Sequence, residues 1–156
     1  MTKHIKYFLI FLFLCSCGYS PIYEVNQKSN FSVNIIKYSG DKKIGREIEK
    51  GLEKFKNYET NNSFNINFTA LKRQEIVTKD KKGDPSSFKI TIEIDLDLES
   101  NKSGENFSKK LVKETTFDSM DNKFELNQYT NNIEKNMIFK ILQDINIFFN
   151  VLENDL

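Results

Sequence analysis

Apolar residues recur along this chain at two alternating periods, and the switches between them lay out the fold. Residues 31–38, FSVNIIKY, alternate Phe31, Val33 and Ile35 against Ser32, Asn34 and Ile36, which predicts a short strand. Ser39-Gly40-Asp41 breaks it. The spacing then turns helical, with Ile44, Ile48, Leu52 and Phe55 recurring among Arg46, Glu47, Glu49, Lys50 and Lys54, and Asp41 placed as N-cap. This is an amphipathic helix of about four turns. Residues 57–62 read as loop.

Period two returns over residues 63–80, where Phe64, Ile66, Phe68 and Ala70 oppose Asn65, Asn67 and Thr69. The alternation falters near Leu71, which predicts a bulge or strong twist there. Lys81-Lys82-Gly83-Asp84-Pro85 is turn chemistry. The next strand is the most regular, with Phe88, Ile90, Ile92, Ile94, Leu96 and Leu98 facing one way and Lys89, Thr91, Glu93, Asp95, Asp97 and Glu99 the other. Asn101 to Gly104 turn it into a fourth strand, 106–118, in which Lys109, Lys110 and Lys113 can meet the acidic strand across the hairpin. That turn sets Ile94 opposite Leu111 and Phe88 opposite Phe117.

Residues 122–153 carry Leu126, Tyr129, Ile133, Met137, Ile141, Ile145, Phe148 and Leu152, a helical stripe about 45 Å long if unbroken. The order β-α-β-β-β-α implies an α+β fold in two layers: a mainly antiparallel four-stranded sheet with two helices on one face. Two features call for a partner. The last helix is apolar beyond its stripe, at Ile138, Phe139, Leu142, Ile147, Phe149 and Val151, and a helix apolar nearly all round is normally buried all round. The outward sheet face is polar and charged, which suits either solvent or the polar interior of a barrel.

At 156 residues the chain has room for one domain with a core, assigned to residues 31–156. Residues 1–16 read as a secretory signal, with Lys3 and Lys6 before the apolar run from Tyr7 to Leu14, which is too short to span a bilayer. Of 23 basic and 22 acidic residues, removal of those two lysines leaves 21 against 22, so bulk charge does not steer the mature chain to nucleic acid. Residues 17–30 read as a tether that could reach roughly 40 Å when extended.

The two cysteines restrict the chemistry. A Cys15–Cys17 disulfide would close a ring too small for ordinary bridge geometry. The sole histidine, His4, lies in the signal, so the mature chain lacks the usual ligands of a zinc site and the usual partner of a thiol nucleophile. No metal and no cofactor is expected. Leu14-Cys15-Ser16-Cys17 resembles the bacterial lipobox, with Cys17 as the residue that is acylated and becomes the new N-terminus. The alternative is a plain secretory signal cleaved after Ser16, leaving Cys17 as a free thiol. Gly18, rather than an aspartate, then favours the outer membrane, facing the periplasm.

The start Cys17-Gly18-Tyr19-Ser20-Pro21-Ile22-Tyr23 resembles that of the LPS-assembly lipoprotein LptE family, in its Cys-Gly-aromatic-x-Pro-aliphatic-Tyr branch. Ile44 to Leu52 resembles the family's first helix, Thr116-Phe117-Asp118 the end of its last strand, and Met137-Ile138-Phe139-Lys140 the middle of its second helix. The resemblance implies a non-enzymatic lipoprotein of a Gram-negative outer membrane, held in the membrane through Cys17. Such a protein plugs and helps assemble the LptD β-barrel and contacts lipopolysaccharide. In the family, basic residues of the turn between the second and third strands are implicated in that contact. The matching positions are Lys81 and Lys82, with Lys79 nearby. Where some members carry a lysine early in the last helix, this chain has Asn131.

Two other readings compete. A lipid-anchored binding or scaffold module of another envelope complex shares every compositional feature. An enzyme would need a catalytic set, and the chain has no G-x-S-x-G elbow or phosphate-cradling glycine loop. Its one carboxylate cluster, Glu93, Asp95 and Asp97, is expected on an open sheet opposite lysines, with no cleft to shift its pKa values. No catalytic residue is assigned.

Overall fold

The computed structural model describes residues 31–56, 60 and 62–155. The signal, Cys17 and the tether lie outside the described residues. The elements are β1 (Phe31–Gly40), α1 (Lys42–Leu52) with a single 3-10 turn after it (Glu53–Phe55), β2 (Asn62–Lys79), β3 (Pro85–Ser100), β4 (Asn106–Asp118) and α2 (Lys123–Asp155). The order is the predicted β-α-β-β-β-α, and the fold is α+β. The sheet runs β1-β2-β3-β4, with β1 parallel to β2 and the other two pairs antiparallel. The parallel pair follows from chain order: α1 carries the chain from the end of β1 back to the start of β2, as a crossover must.

Both hairpins follow from their alternation. Ile94 pairs with Leu111 and Phe88 with Phe117, the predicted register. Phe64, Ile66, Phe68 and Ala70 of β2 and Ile90, Ile92, Ile94, Leu96 and Leu98 of β3 form the buried face. Ile44, Ile48 and Leu52 from α1 and Ile133, Met137, Ile141 and Ile145 from α2 close the core from the other layer. Asp41 caps α1 by accepting from the amides of Lys43 (2.9 Å) and Ile44 (3.0 Å). Asn122 does the same for α2, accepting from Phe124 at 2.9 Å, while its amide donates to Glu125 at 3.1 Å.

Four expectations are corrected. In β1 the register slips at Asn34, so the alternation changes phase: Ile35 turns to solvent, and Ile36 and Tyr38 pack against the core. In β2 the irregularity lies at Ile76–Lys79, not near Leu71; the alternation falters at Leu71 because the core cover ends there. On α2 Phe149, not Phe148, is the fully buried ring, wedged against Phe31 at 4.5 Å between centroids. Of the three β4 lysines only Lys110 meets the acidic strand. Lys113 faces the helix layer and pairs with Asp144 at 2.6 Å, and Lys109 lies over the Phe148 ring at 5.8 Å. Inward lysines on an edge strand also discourage a further strand from adding there.

Candidate partner interface

Three surfaces follow from this arrangement, and the first is the outer sheet face. Odd-numbered residues of β2 and β3 point away from the helices, so Glu93 sits between its register partners Leu71 and Val112. Its carboxylate accepts from Arg73 (3.2 Å) and from the Lys110 ammonium, which also lies 3.7 Å from Asp95. The hydrogen bond from Lys110 is the chief cause holding the Glu93 carboxyl below its ordinary range, and the same bond raises Lys110. Glu93 was expected to be unperturbed on an open sheet. Three adjoining strands bring two cations to it, and the neighbouring side chains cover it. The face is not wholly polar either, because Leu71 and Val112, the register partners of Glu93, are exposed on it. The face is thus a surface of interlocked charges with scattered aliphatics.

The second surface is the β2–β3 hairpin. Core cover over β2 ends at Lys72, and every residue from Arg73 to Lys79 is exposed. At about 3.3 Å per residue the tip lies more than 20 Å along β2 from Lys72, while the facing strand β3 stays covered as far as Ile90, and Phe88 packs on Phe117 beneath Tyr129 of α2. Asp80 organises the tip: its carboxylate accepts from the amides of Lys82 (2.8 Å) and Asp84 (2.9 Å), and its own amide donates to the Asp84 carbonyl at 2.8 Å. Gly83 closes the turn at φ 90°. Lys79, Lys81 and Lys82 are thus brought together on one ordered, exposed turn. Ile76 and Val77, each about half exposed, give the hairpin apolar flanks.

The third surface is a groove of about 800 Å³ between the C-terminal end of α1 and the middle of α2, walled by Gly51, Phe55, Phe139, Leu142 and Ile147, with Lys50 and Lys54 at its margin. A side chain at Gly51 would meet Leu142 at 2.5 Å, so the glycine sets how near the helices come. The excess apolarity of α2 resolves unevenly. Ile138 and Phe149 are core, whereas Ile147 and Val151 are more than half exposed.

Sequence reasoning missed a buried ion cluster. Glu134 on α2, 2% exposed, is held by the ammonium groups of Lys43 from α1 (2.8 Å) and Lys72 from β2, and Lys43 also donates to Asn131 at 2.8 Å. Burial pushes the Glu134 carboxyl up, and the two lysines together outweigh it, leaving the pKa below its ordinary value. The signal was present: Glu134 shares a helix face with Ile138 and Ile141, four and seven residues on. Asn131, where a lysine was looked for, receives its cation from α1.

Among the described residues no three histidine, cysteine, aspartate or glutamate side chains converge as a metal site, and no helix is long and apolar enough to cross a membrane.

No protein-family model and no curated sequence matches this chain. Solved structures do. It is similar to the rare lipoprotein B of Shewanella oneidensis, with a TM-score of 0.55 and 11% identity over 77% of this chain and 99% of that one. It is similar also to lipoprotein B of Nitrosomonas europaea (TM-score 0.52, 10% identity, 79% and 86% covered). A Caulobacter crescentus protein described as a lipoprotein matches too (TM-score 0.51, 10% identity, 83% and 94% covered). At such identity the likeness establishes a shared fold: the chain has the two-layer α+β architecture of these bacterial proteins.

Proposed function

We propose that this chain is an outer-membrane lipoprotein, acylated on Cys17 and facing the periplasm, that fits inside an LptD-like β-barrel, helps it assemble and contacts lipopolysaccharide. The observation that supports this best is the ordered, exposed turn at the tip of the β2–β3 hairpin, which gathers Lys79, Lys81 and Lys82, on a fold shared with bacterial lipoproteins. Lys79, Lys81 and Lys82 would meet the lipid phosphates as point charges, with Ile76 and Val77 available to apolar portions of the same ligand. The interlocked charges of the outer sheet face suit a barrel's polar inner wall. The role is binding and scaffolding, not catalysis.

The expected result is that the native lipoprotein, extracted in mild detergent, copurifies with a large β-barrel identified by mass spectrometry. Exchange of Lys81→Glu and Lys82→Glu together is expected to weaken lipopolysaccharide binding by the purified protein about tenfold, or ~1.4 kcal/mol, while leaving its unfolding unchanged. Recovery of the lipoprotein alone, without any barrel, refutes the plug. Unaltered lipopolysaccharide affinity in the charge-reversed protein refutes the role of the turn.

A further inference from the structure

The groove between α1 and α2 leaves Ile147 60% exposed on a helix whose Ile145 and Phe149, two residues to either side, are core. We propose that its occupant is the chain's own segment Pro21-Ile22-Tyr23. Three observations lead there. The first is where the chain enters the fold. Phe31 opens β1 with its ring 4.9 Å from that of Phe55, and Phe55 is a wall of the groove. Whatever precedes Phe31 therefore starts beside the groove's end.

The second is length and pattern. Residues 24–30 are polar apart from Val25, and the nearest apolar cluster upstream is Pro21-Ile22-Tyr23. The intervening seven residues span up to ~25 Å when extended, whereas Phe139 to Ile147 along α2 is only about 12 Å. The segment can reach every part of the groove with slack to spare. The third is charge. Glu24, the sole acidic residue from 17 to 30, directly follows Tyr23, and the groove's lining carries Lys50 and Lys54, while its one acid, Asp144, is already paired with Lys113 at 2.6 Å. Lys54 already stands over the Phe55 ring, 4.7 Å from its centroid, where an arriving carboxylate would meet it. Pro21, with its fixed φ, lowers the ordering cost of docking.

The docking itself is independent of the function proposed above. If Cys17 is also acylated, only Gly18 to Ser20 separate the anchor from the docked segment. The leash shortens from roughly 40 Å to roughly 13 Å, so the α1–α2 end of the molecule is held against the bilayer.

The test uses the full-length protein with a photoreactive phenylalanine at position 23. Illumination is expected to join it, within one chain, to the peptide carrying residues 139–147, and Ile147→Asp, at an exposed position, is expected to abolish the product. Without the photoreactive residue, chymotrypsin cleavage after Tyr23 is expected to be at least about tenfold slower in the natural chain than in the Ile147→Asp variant, since the docked residue must leave the groove before the protease can bind it. Crosslinking to a second copy, to another protein or to lipid assigns the groove a different occupant and overturns the proposal. Equal cleavage rates after Tyr23 overturn it as well.

Discussion

Replacing Lys43 and Lys72 together by methionine is expected to destabilise the protein by about 3–5 kcal/mol at neutral pH, the cost of leaving a buried carboxylate without its partners. Glu134 is 2% exposed, and both of its charge partners come from other elements, so the cluster joins α1, β2 and α2 through one side chain. Each lysine alone is expected to matter less, because the other remains, and Lys43 less than Lys72, because its side chain is 58% exposed and returns easily to water. Adding Glu134→Met to the double variant is expected to restore most of the loss, since an apolar side chain of similar volume leaves no charge to desolvate. Urea unfolding of the natural protein and the four variants checks this. A double variant within about 1 kcal/mol of the natural protein would show that Glu134 is solvated.

The same cluster has a pH signature whose sign can be worked out. In the natural protein the Glu134 carboxyl titrates below its ordinary value of 4.5, so its contribution is present above that value and is lost as pH falls through the lower folded value. Without the lysines, burial alone acts, and it raises the folded pKa; the variant's penalty is then relieved as the carboxylate protonates on acidification. The stability gap between the two proteins is therefore expected to close from neutral pH downward. A gap constant from pH 7 to 4 would be incompatible with a buried carboxylate.

Legibility in the sequence varied with how local each determinant is. The β3–β4 register needed only one four-residue turn and strict alternation on both sides, and Phe88 opposite Phe117 follows from those alone. Ile35 was misplaced because the slip at Asn34 is set by pairing with β2, a distant segment, and one extra residue turns every later side chain to the other face. Lys109 and Lys113 were assigned to the acidic strand by charge, although alternation with the buried Leu111 puts all three on the helix side. At the candidate site, the lysine-bearing turn was visible as turn chemistry. The α1–α2 groove was not, since it depends on how closely Gly51 admits Leu142. Surfaces built by one hairpin can be read from a chain, and surfaces built between layers require the packing.

Gly40→Ala is expected to cost about 3 kcal/mol or more, well above the ordinary range for adding one methyl group. Gly40 ends β1 at φ +85°, a conformation that costs an L-residue roughly 1–2 kcal/mol. A Cβ there would also lie 2.1 Å from the Ala70 carbonyl oxygen, which has little freedom to retreat. That oxygen accepts from the Asp41 amide at 2.8 Å, and Asp41 caps α1, so moving it disturbs the last parallel pairing of β1 with β2 and the start of the helix together. Gly83→Ala is the internal control. Gly83 has nearly the same φ, +90°, but nothing stands within 4 Å of where its Cβ would be, so only the backbone term of roughly 1–2 kcal/mol applies. The difference between the two substitutions in urea unfolding isolates the close approach of the strands at Ala70 from backbone preference. Equal losses would mean that β1 and β2 separate at that point without cost, and that the crossover holding α1 over the sheet is anchored elsewhere.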